Sequence, residues 1–144
     1  MMGQLYLPQV LDDLSMHLRY HWVIATLVGG RQTLLKGRRI FAAYKPMLWF
    51  TKGNYRGHAI QDVIRSDRYD KNYHDHGQCE SEFAEIIKRL TEGGDTVLDC
   101  FVGGGTTAAA ALKLGRRIIG IDIEKKHIET TRRRIADIKL GGAI

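Results

Sequence analysis

The sequence predicts an α/β fold that contains two parallel strands joined by a helix. Two apolar segments, residues 95–101 and 116–122, have the composition of buried strands and begin about 20 residues apart. Between them, three glycines at 103–105 lead into an alanine-rich segment that ends at Gly115, which is typical of a helix. A strand, a helix and a strand in this order form a βαβ unit, whose two strands are parallel.

Length and composition favour one soluble domain. The chain has 144 residues, of which 44% are hydrophobic and 26% charged. No apolar run reaches the roughly 18 residues that a membrane span needs, and the N-terminus lacks the pattern of a secretion signal. We therefore expect a cytoplasmic protein with no membrane partner.

Cys79 and Cys100 match no zinc or disulfide spacing, and His74 and His76 lack a second ligand pair, so no metal site is predicted.

The first half of the chain begins with a helix over about residues 8–19, because Pro8 suits a first helical turn. Residues 20–28 are rich in β-branched and aromatic side chains and predict a buried strand. The segment 39–53 predicts two extended pieces that are interrupted at Lys45 and Pro46, since proline cannot donate within a central ladder. Residues 58–79 are polar and are predicted as a linker to the second half.

The second half, residues 80–144, contains the βαβ unit between two further helices. A helix precedes the unit, with apolar residues on one face and a stop at Gly93 and Gly94. The other helices are predicted over residues 106–115 and 125–139. The apolar face of the helix that precedes the unit consists of Phe83, Ile86, Ile87 and Leu90.

The formal net charge of +6 favours a polyanionic partner, and its distribution indicates where that partner binds. One group of cations lies in a glycine-containing segment that we predict to be a flexible loop facing nucleic-acid phosphates. This group consists of Arg31, Lys36, Arg38 and Arg39. A second group, Arg132, Arg133 and Arg134, is placed near the end of the last helix, where cations suit the helix dipole without any ligand.

The glycine turn, residues 100–105, fits several kinds of site. Gly103, Gly105 and Ala108 satisfy the dinucleotide pattern G-x-G-x-x-G/A. Asp122 follows the second strand, where an acidic side chain can accept hydrogen bonds from ribose hydroxyls. A triphosphate loop needs a lysine after its last glycine, whereas Thr106 follows here, so that alternative fails. A further alternative, a glycine-rich turn that only packs a helix on a strand, also fits these residues.

The longer string "LDCFVGGGTTAAAALKLGRRIIGIDIE" resembles the "DPFxGSGTTxxAAxxLGRRxIGIEI" segment of the DNA amino-methyltransferases, with Cys100 for proline and Gly104 for serine. The segments "HGQCESEFAEIIKRLTEGGDTVLD", "LPQVLDDLSMHLRYHWVIATLVGG" and "YKPMLWFTKG" are similar to those that precede it in the family. The resemblance covers nearly the whole chain, in the permuted order that puts the methyl-donor motif late. It implies a Rossmann-like S-adenosylmethionine-dependent methyltransferase fold and double-stranded DNA as the partner.

Carried over by position, the resemblance implies a set of residues that bind S-adenosylmethionine. The glycines let the backbone approach the ligand, the helix N-terminus offers N–H groups to the methionine carboxylate, and the acid after the second strand accepts both ribose hydroxyls. These residues are Asp99, Phe101, Gly103, Gly105, Thr106 and Asp122.

The family's catalytic tetrapeptide, D/N/S-P-P-Y/W/F, is absent, because the two prolines of the chain, Pro8 and Pro46, are not adjacent. We therefore expect an incomplete methyltransferase fold without its catalytic strand and assign no catalytic residue. In the family that strand lies between the strands predicted at 96–100 and 20–28, so we expect a missing N-terminal segment or a second copy of the chain to fill the gap. The alternatives are a non-catalytic module that binds the methyl donor or nucleic acid, and a nicotinamide-dependent oxidoreductase.

Overall fold

The computed structural model of the protein describes residues 4–27, 33–65 and 79–141. The chain divides into two compact units, residues 1–66 and residues 67–144. The boundary between the units falls inside the segment 58–79 that the sequence predicts as a linker.

The first unit begins with a short helix. After a 3₁₀ turn, α1 spans Leu7–Ser15, with Pro8 in its first turn as the sequence predicts. The predicted end at residue 19 is wrong. The amide of Leu18 still donates to the carbonyl of Leu14, but Arg19 already begins the first strand, because the residues that follow favour extended structure.

A three-stranded sheet forms the core of this unit. The central strand β1 spans Arg19–Leu27 and pairs along its length with antiparallel β4, Tyr44–Thr51. On its other side β1 pairs with parallel β5, Val63–Arg65, over the three residues at its C-terminal end. Ile24 and Ile64 are buried in this sheet. The order β4-β1-β5 leaves β4 as an edge strand.

Pro46 does not interrupt a strand, which corrects the prediction for this segment. It lies inside β4, opposite Ala25. The amide of Ala25 donates to Asp62 on the β5 side at 2.8 Å, so Ala25 and Pro46 form a pair without mutual backbone hydrogen bonds. The N–H that proline lacks is therefore not needed by the β1–β4 ladder, and an edge strand accepts the residue.

The predicted basic loop is a hairpin. Strand β2, Thr33–Leu35, pairs with antiparallel β3, Ile40–Ala42, and a 3₁₀ turn at Lys36–Arg38 connects the two. Arg39 closes the turn with a left-handed backbone at φ 52°. Arg31 lies outside the described residues.

The second unit contains the predicted βαβ arrangement. After α2, Glu80–Leu90, strand β6 spans Thr96–Asp99 and β7 spans Arg117–Gly120, and the two are parallel, with Leu98 opposite Ile119. Between them lies α3, Thr106–Lys113, and after them α4, Lys125–Gly141. The predicted element order is confirmed, although α4 continues two residues beyond its predicted end.

Helices α2 and α3 cover one face of the two strands. Four consecutive alanines of α3, residues 108–111, are completely buried, and Ile87 of α2 joins the cluster together with Val97 and Ile118. Small side chains on α3 allow the neighbouring helices to approach closely. Because side chains alternate along a strand, Leu98 and Ile119 point to the opposite face, where both are more than half exposed. Within the described residues, no helix has the length and apolar character to cross a membrane.

Candidate functional site

The glycine turn continues the β6–β7 pairing beyond the end of β6. The amide of Ile121 donates to the carbonyl of Asp99 at 2.8 Å, and the amide of Val102 donates to the carbonyl of Ile121 at 2.9 Å. The amide of Gly105 then donates to Val102 at 2.8 Å, which closes the turn just before α3 begins at Thr106. The turn is thus fixed at the carboxyl end of two parallel strands, where ligands bind in open α/β sheets.

Gly103 and Gly105 both have left-handed backbones, with φ of 50° and 77°, but their surroundings differ. A Cβ at Gly105 would lie 2.9 Å from Thr131 Oγ1 and 3.2 Å from the Thr131 Cα, so α4 packs directly on this residue. A Cβ at Gly103 would meet only the Phe101 carbonyl oxygen, at 3.8 Å. The space above Gly103 is open, whereas the space at Gly105 is filled by the protein.

The carboxylate of Asp122 is held by three donors of the chain. Its Oδ2 accepts the amide of Gly103 at 2.8 Å, and its Oδ1 accepts the amide of Glu124 at 2.9 Å and Nδ1 of His127 at 3.0 Å. The backbone N–H groups of Glu124 and Gly103, and then His127, hold the pKa of Asp122 below its usual value. An ionised carboxylate has about four acceptor positions, so one on Oδ2 is left for a ligand.

Helix α4 holds the carbonyl side of the turn. Thr131 Oγ1 donates to the carbonyl of Gly103 at 2.9 Å, and Arg134 Nη1 donates to that of Gly104 at 3.3 Å. Arg134 is 4% exposed and sits in the middle of α4, which corrects its placement near the helix end. Arg134 also forms an ion pair with Glu80 at 2.7 Å.

Glu80 connects three helices of the second unit. It begins α2, and its carboxylate accepts from Lys113 of α3 and from Arg134 of α4, each at 2.7 Å. Burial alone would raise the pKa of Glu80, but the hydrogen bonds from Lys113 and Arg134 outweigh it and hold the pKa below its usual value. The N-terminus of α2 is therefore tied to the helix that contacts the glycine turn.

The structure brings the six predicted cofactor residues together around the turn. Asp99 ends β6, and its Oδ1 accepts the amide of Phe101 at 3.0 Å. Phe101 is 90% exposed, so it is not a core residue. Thr106 begins α3, whose first-turn N–H groups point toward the turn. The role of these residues in binding a cofactor stays a prediction.

Sequence reasoning missed His127 and Thr131. Both lie on α4 and, four residues apart, share one helix face with Arg134. The spacing is visible in the sequence, but nothing in it identifies the glycine turn as the surface that this face contacts.

Three of the four predicted nucleic-acid cations lie on the hairpin of the first unit, and the fourth, Arg31, lies outside the described residues. Lys36, Arg38 and Arg39 are all exposed at its turn. Phe41, on the adjoining strand, is 62% exposed. A hairpin end with exposed cations and an aromatic ring is compatible with phosphate contacts, and this assignment also stays a prediction.

The comparisons with known proteins agree with this geometry. The sequence profile of a family described as DNA methylase matches residues 65–133, which include the glycine turn and most of α4. The type II methyltransferase M.BglI of Bacillus subtilis is 54% identical over 50 residues, and M.HinfI of Haemophilus influenzae is 40% identical over 73 residues. These alignments cover 35% and 51% of this chain.

Residues 65–133 of the chain therefore resemble the DNA amino-methyltransferases. The solved complex of M1.HpyAVI with SAM shares 23% identity and a TM-score of 0.76 over 93% of this chain. The cytosine-N4-specific PvuII DNA methyltransferase shares 17% identity and a TM-score of 0.75 over 94% of it. The predicted α/β methyltransferase fold is confirmed by these likenesses.

The chain spans only part of the length of these similar proteins. The aligned residues make up 14% of M.BglI and 20% of M.HinfI, and the structural match covers 71% of M1.HpyAVI and 62% of the PvuII enzyme.

Proposed function

We propose that the chain is part of a DNA methyltransferase that transfers a methyl group from S-adenosylmethionine to an exocyclic amine of adenine or cytosine. The observation that carries this proposal is the glycine turn, with open space above Gly103 and one acceptor position left on Asp122. Both are features that a nucleoside ligand needs and that a turn serving only to pack α3 on β6 does not.

The residues around the turn suit S-adenosylmethionine. The N–H groups in the first turn of α3 would bind the methionine carboxylate, since a helix N-terminus favours an anion. The remaining acceptor position of Asp122 would take a ribose hydroxyl, and the exposed ring of Phe101 offers an apolar surface to the adenine. The bound cofactor supplies an electrophilic methyl group to the amine, and these residues would orient it.

Calorimetry on the full chain tests this assignment. S-adenosylmethionine and its demethylated product, S-adenosylhomocysteine, should bind, whereas NAD should bind more weakly. The variant Asp122→Ala should lose about tenfold or more in affinity, because ribose hydroxyls then face no acceptor. Asp137→Ala, on the exposed side of α4, is the matched control and should bind normally. Tighter binding of NAD would instead favour an oxidoreductase.

The amine acceptor and the aromatic platform for a flipped base are not among the 144 residues, because no D/N/S-P-P-Y/W/F tetrapeptide occurs in them. We therefore propose that the chain binds the methyl donor but does not methylate DNA by itself. Incubation with labelled S-adenosylmethionine and mixed DNA checks this: incorporation that follows the purified chain through chromatography contradicts it.

A segment outside this chain, or a second copy of it, is proposed to supply the missing strand. Among the described residues β6 pairs only with β7, so its other edge has backbone groups without a strand partner. The exposed Leu98 and Ile119, on the face of the two strands opposite α2 and α3, also favour coverage by another element. The edge of β1 is less open than predicted, because β5 occupies it at residues 25–27. Sedimentation at micromolar concentration should show self-association; a stable monomer argues against the second copy.

Double-stranded DNA is the proposed partner of the basic hairpin. Phosphate contacts from Lys36, Arg38 and Arg39 would give weak binding that tolerates any sequence and declines steeply with salt.

The second candidate function, a non-catalytic module that binds the methyl donor or nucleic acid, is favoured if no tetrapeptide is encoded upstream of this chain or in a neighbouring gene. A cytoplasmic location stays a prediction from the sequence.

A further inference from the structure

Both backbone polar groups of Gly103 are bound by side chains. The N–H donates to Asp122 Oδ2 at 2.8 Å, and the C=O accepts Thr131 Oγ1 at 2.9 Å. Glycine adopts positive and negative φ with similar ease, so the sequence alone does not fix its conformation. These two hydrogen bonds select the left-handed conformation at φ 50°.

The carboxylate that holds the N–H is itself oriented from α4. Nδ1 of His127 lies 3.0 Å from Asp122 Oδ1, and because an ionised carboxylate can only accept, the imidazole is the donor. With Oδ1 engaged by His127 and Glu124, Oδ2 is directed at Gly103.

His127 and Thr131 lie one turn apart on the same face of α4 and are largely shielded from solvent. The side chain of His127 is 23% exposed, and Thr131 is 7% exposed. Neither has a role in the function proposed above, yet together they determine the position of both polar groups at Gly103.

We propose that His127 and Thr131 are positioning residues that hold Gly103 in the conformation required by the methyl donor, His127 through Asp122 and Thr131 directly. The proposal rests on the proposed function, because the ligand of the turn is the one named there. Holding the turn before the ligand arrives removes an ordering cost from binding. Loss of either hydrogen bond should therefore weaken binding even though neither side chain touches the ligand.

Paired variants in the full chain test the proposal. His127→Phe removes the donor, whereas His127→Asn keeps an N–H donor at the same number of bonds from the backbone as Nδ1. Thr131→Val removes the hydroxyl at nearly constant shape, and Thr131→Ser retains it. S-adenosylhomocysteine should bind about 3–10-fold more weakly to the Phe and Val variants, since a hydrogen bond contributes on this scale, and within about twofold of wild type to the Asn and Ser variants.

Thr130→Val is the matched control. Thr130 is partly exposed, and its hydroxyl donates to the carbonyl of Lys126 within α4 at 2.9 Å, so its loss changes the helix but not the turn. Rescue by the conservative variants distinguishes positioning from a general structural role. Equal affinity for all variants, or an equal loss in Thr130→Val and Thr131→Val, overturns the proposal.

A measurement without ligand separates this proposal from the proposed function. In an ¹H–¹⁵N spectrum, the Gly103 amide should have the downfield shift of a donor to a carboxylate. It should move upfield in His127→Phe and keep its position in Thr130→Val. If wild type fails to bind S-adenosylhomocysteine while this pattern holds, the ligand assignment is wrong and the positioning role stands. If Gly103 is unaffected by His127→Phe, the positioning role is wrong whatever the ligand.

Discussion

Substitution of Gly105 by alanine should destabilise the second unit more than the same change at Gly103. The added methyl at Gly105 would lie 2.9 Å from Thr131 Oγ1, 3.1 Å from its Cγ2 and 3.2 Å from its Cα. Ordinary contacts between carbon atoms are about 3.5–4.0 Å. A rotation of the Thr131 side chain relieves the first two contacts, but the Cα belongs to the α4 backbone, so α4 or the glycine turn must move.

The expected magnitude follows from three contributions. A left-handed conformation costs an L-residue about 1–2 kcal/mol, and overpacking costs about 1–3 kcal/mol. Alanine also restricts the unfolded chain, which offsets about 0.4–1 kcal/mol. The free energy of unfolding should thus fall by about 2–4 kcal/mol in Gly105→Ala. In Gly103→Ala, where the nearest atom is 3.8 Å away, the loss should be about 1 kcal/mol or less.

Urea unfolding of the full-length variants, followed by circular dichroism, measures these differences. Gly93→Ala is the control, since its φ is not left-handed and no atom of the described residues lies within 4 Å of the added methyl. Thr131→Ala in the Gly105→Ala background should restore part of the stability, because it removes two of the three short contacts. Equal losses at Gly105 and Gly103, or no recovery in the double variant, would show that α4 does not pack on the turn as described.

Three further predictions concern the helix contacts, the core and the hairpin. Glu80→Gln should lower the free energy of unfolding by about 1–2 kcal/mol in thermal unfolding, because Glu80 is only partly buried. Since the pKa of Glu80 is lowered by folding, its ionised form stabilises the native chain at neutral pH. That contribution is lost as the pH falls below the ordinary glutamate range and through the lowered pKa, and the variant should lack this part of the acid dependence. Ile87→Ala should cost about 2–4 kcal/mol in urea, against less than about 0.5 for the exposed Leu140→Ala, and equal effects would contradict the assigned core. Lys36→Gln with Arg38→Gln should reduce the salt slope of DNA binding by about 0.9 for each of the two cations that binds a phosphate, whereas an unchanged slope removes the hairpin from the interface.

The sequence was most informative where local signals and tertiary structure agree. The βαβ unit was predicted because its strands are apolar and its helix is bounded by Gly105 and Gly115, both left-handed in the structure. Pro46 was misread because its effect depends on which strand forms the sheet edge and on which amides face the ladder. That information comes from the pairing of β4 with β1 and is not contained in the segment itself.

The cations illustrate the same limit at the level of single side chains. Arg132, Arg133 and Arg134 are identical in the sequence, and their clustering favoured a solvated helix end. In the structure Arg132 and Arg133 are exposed, whereas Arg134 is buried against Glu80 and the carbonyl of Gly104. A helix turns about 100° per residue, so neighbours in sequence face different surroundings, and only the docking of α4 decides which of the three becomes buried.

The two glycines of the motif show why a pattern match locates a site without explaining it. The pattern treats Gly103 and Gly105 as equivalent, yet Gly105 is required by the α4 helix beside it and Gly103 leaves space for a ligand. Asp122 likewise combines an observed contact with a proposed one, since the carboxylate that we propose to bind a ribose hydroxyl also holds the Gly103 amide. His127 and Thr131 lie outside the glycine pattern, yet both contact residues of the site: His127 orients Asp122, and Thr131 holds the Gly103 carbonyl. Differences in methyl-donor affinity among relatives with the same glycine motif are therefore expected to follow the side chains on this face of α4.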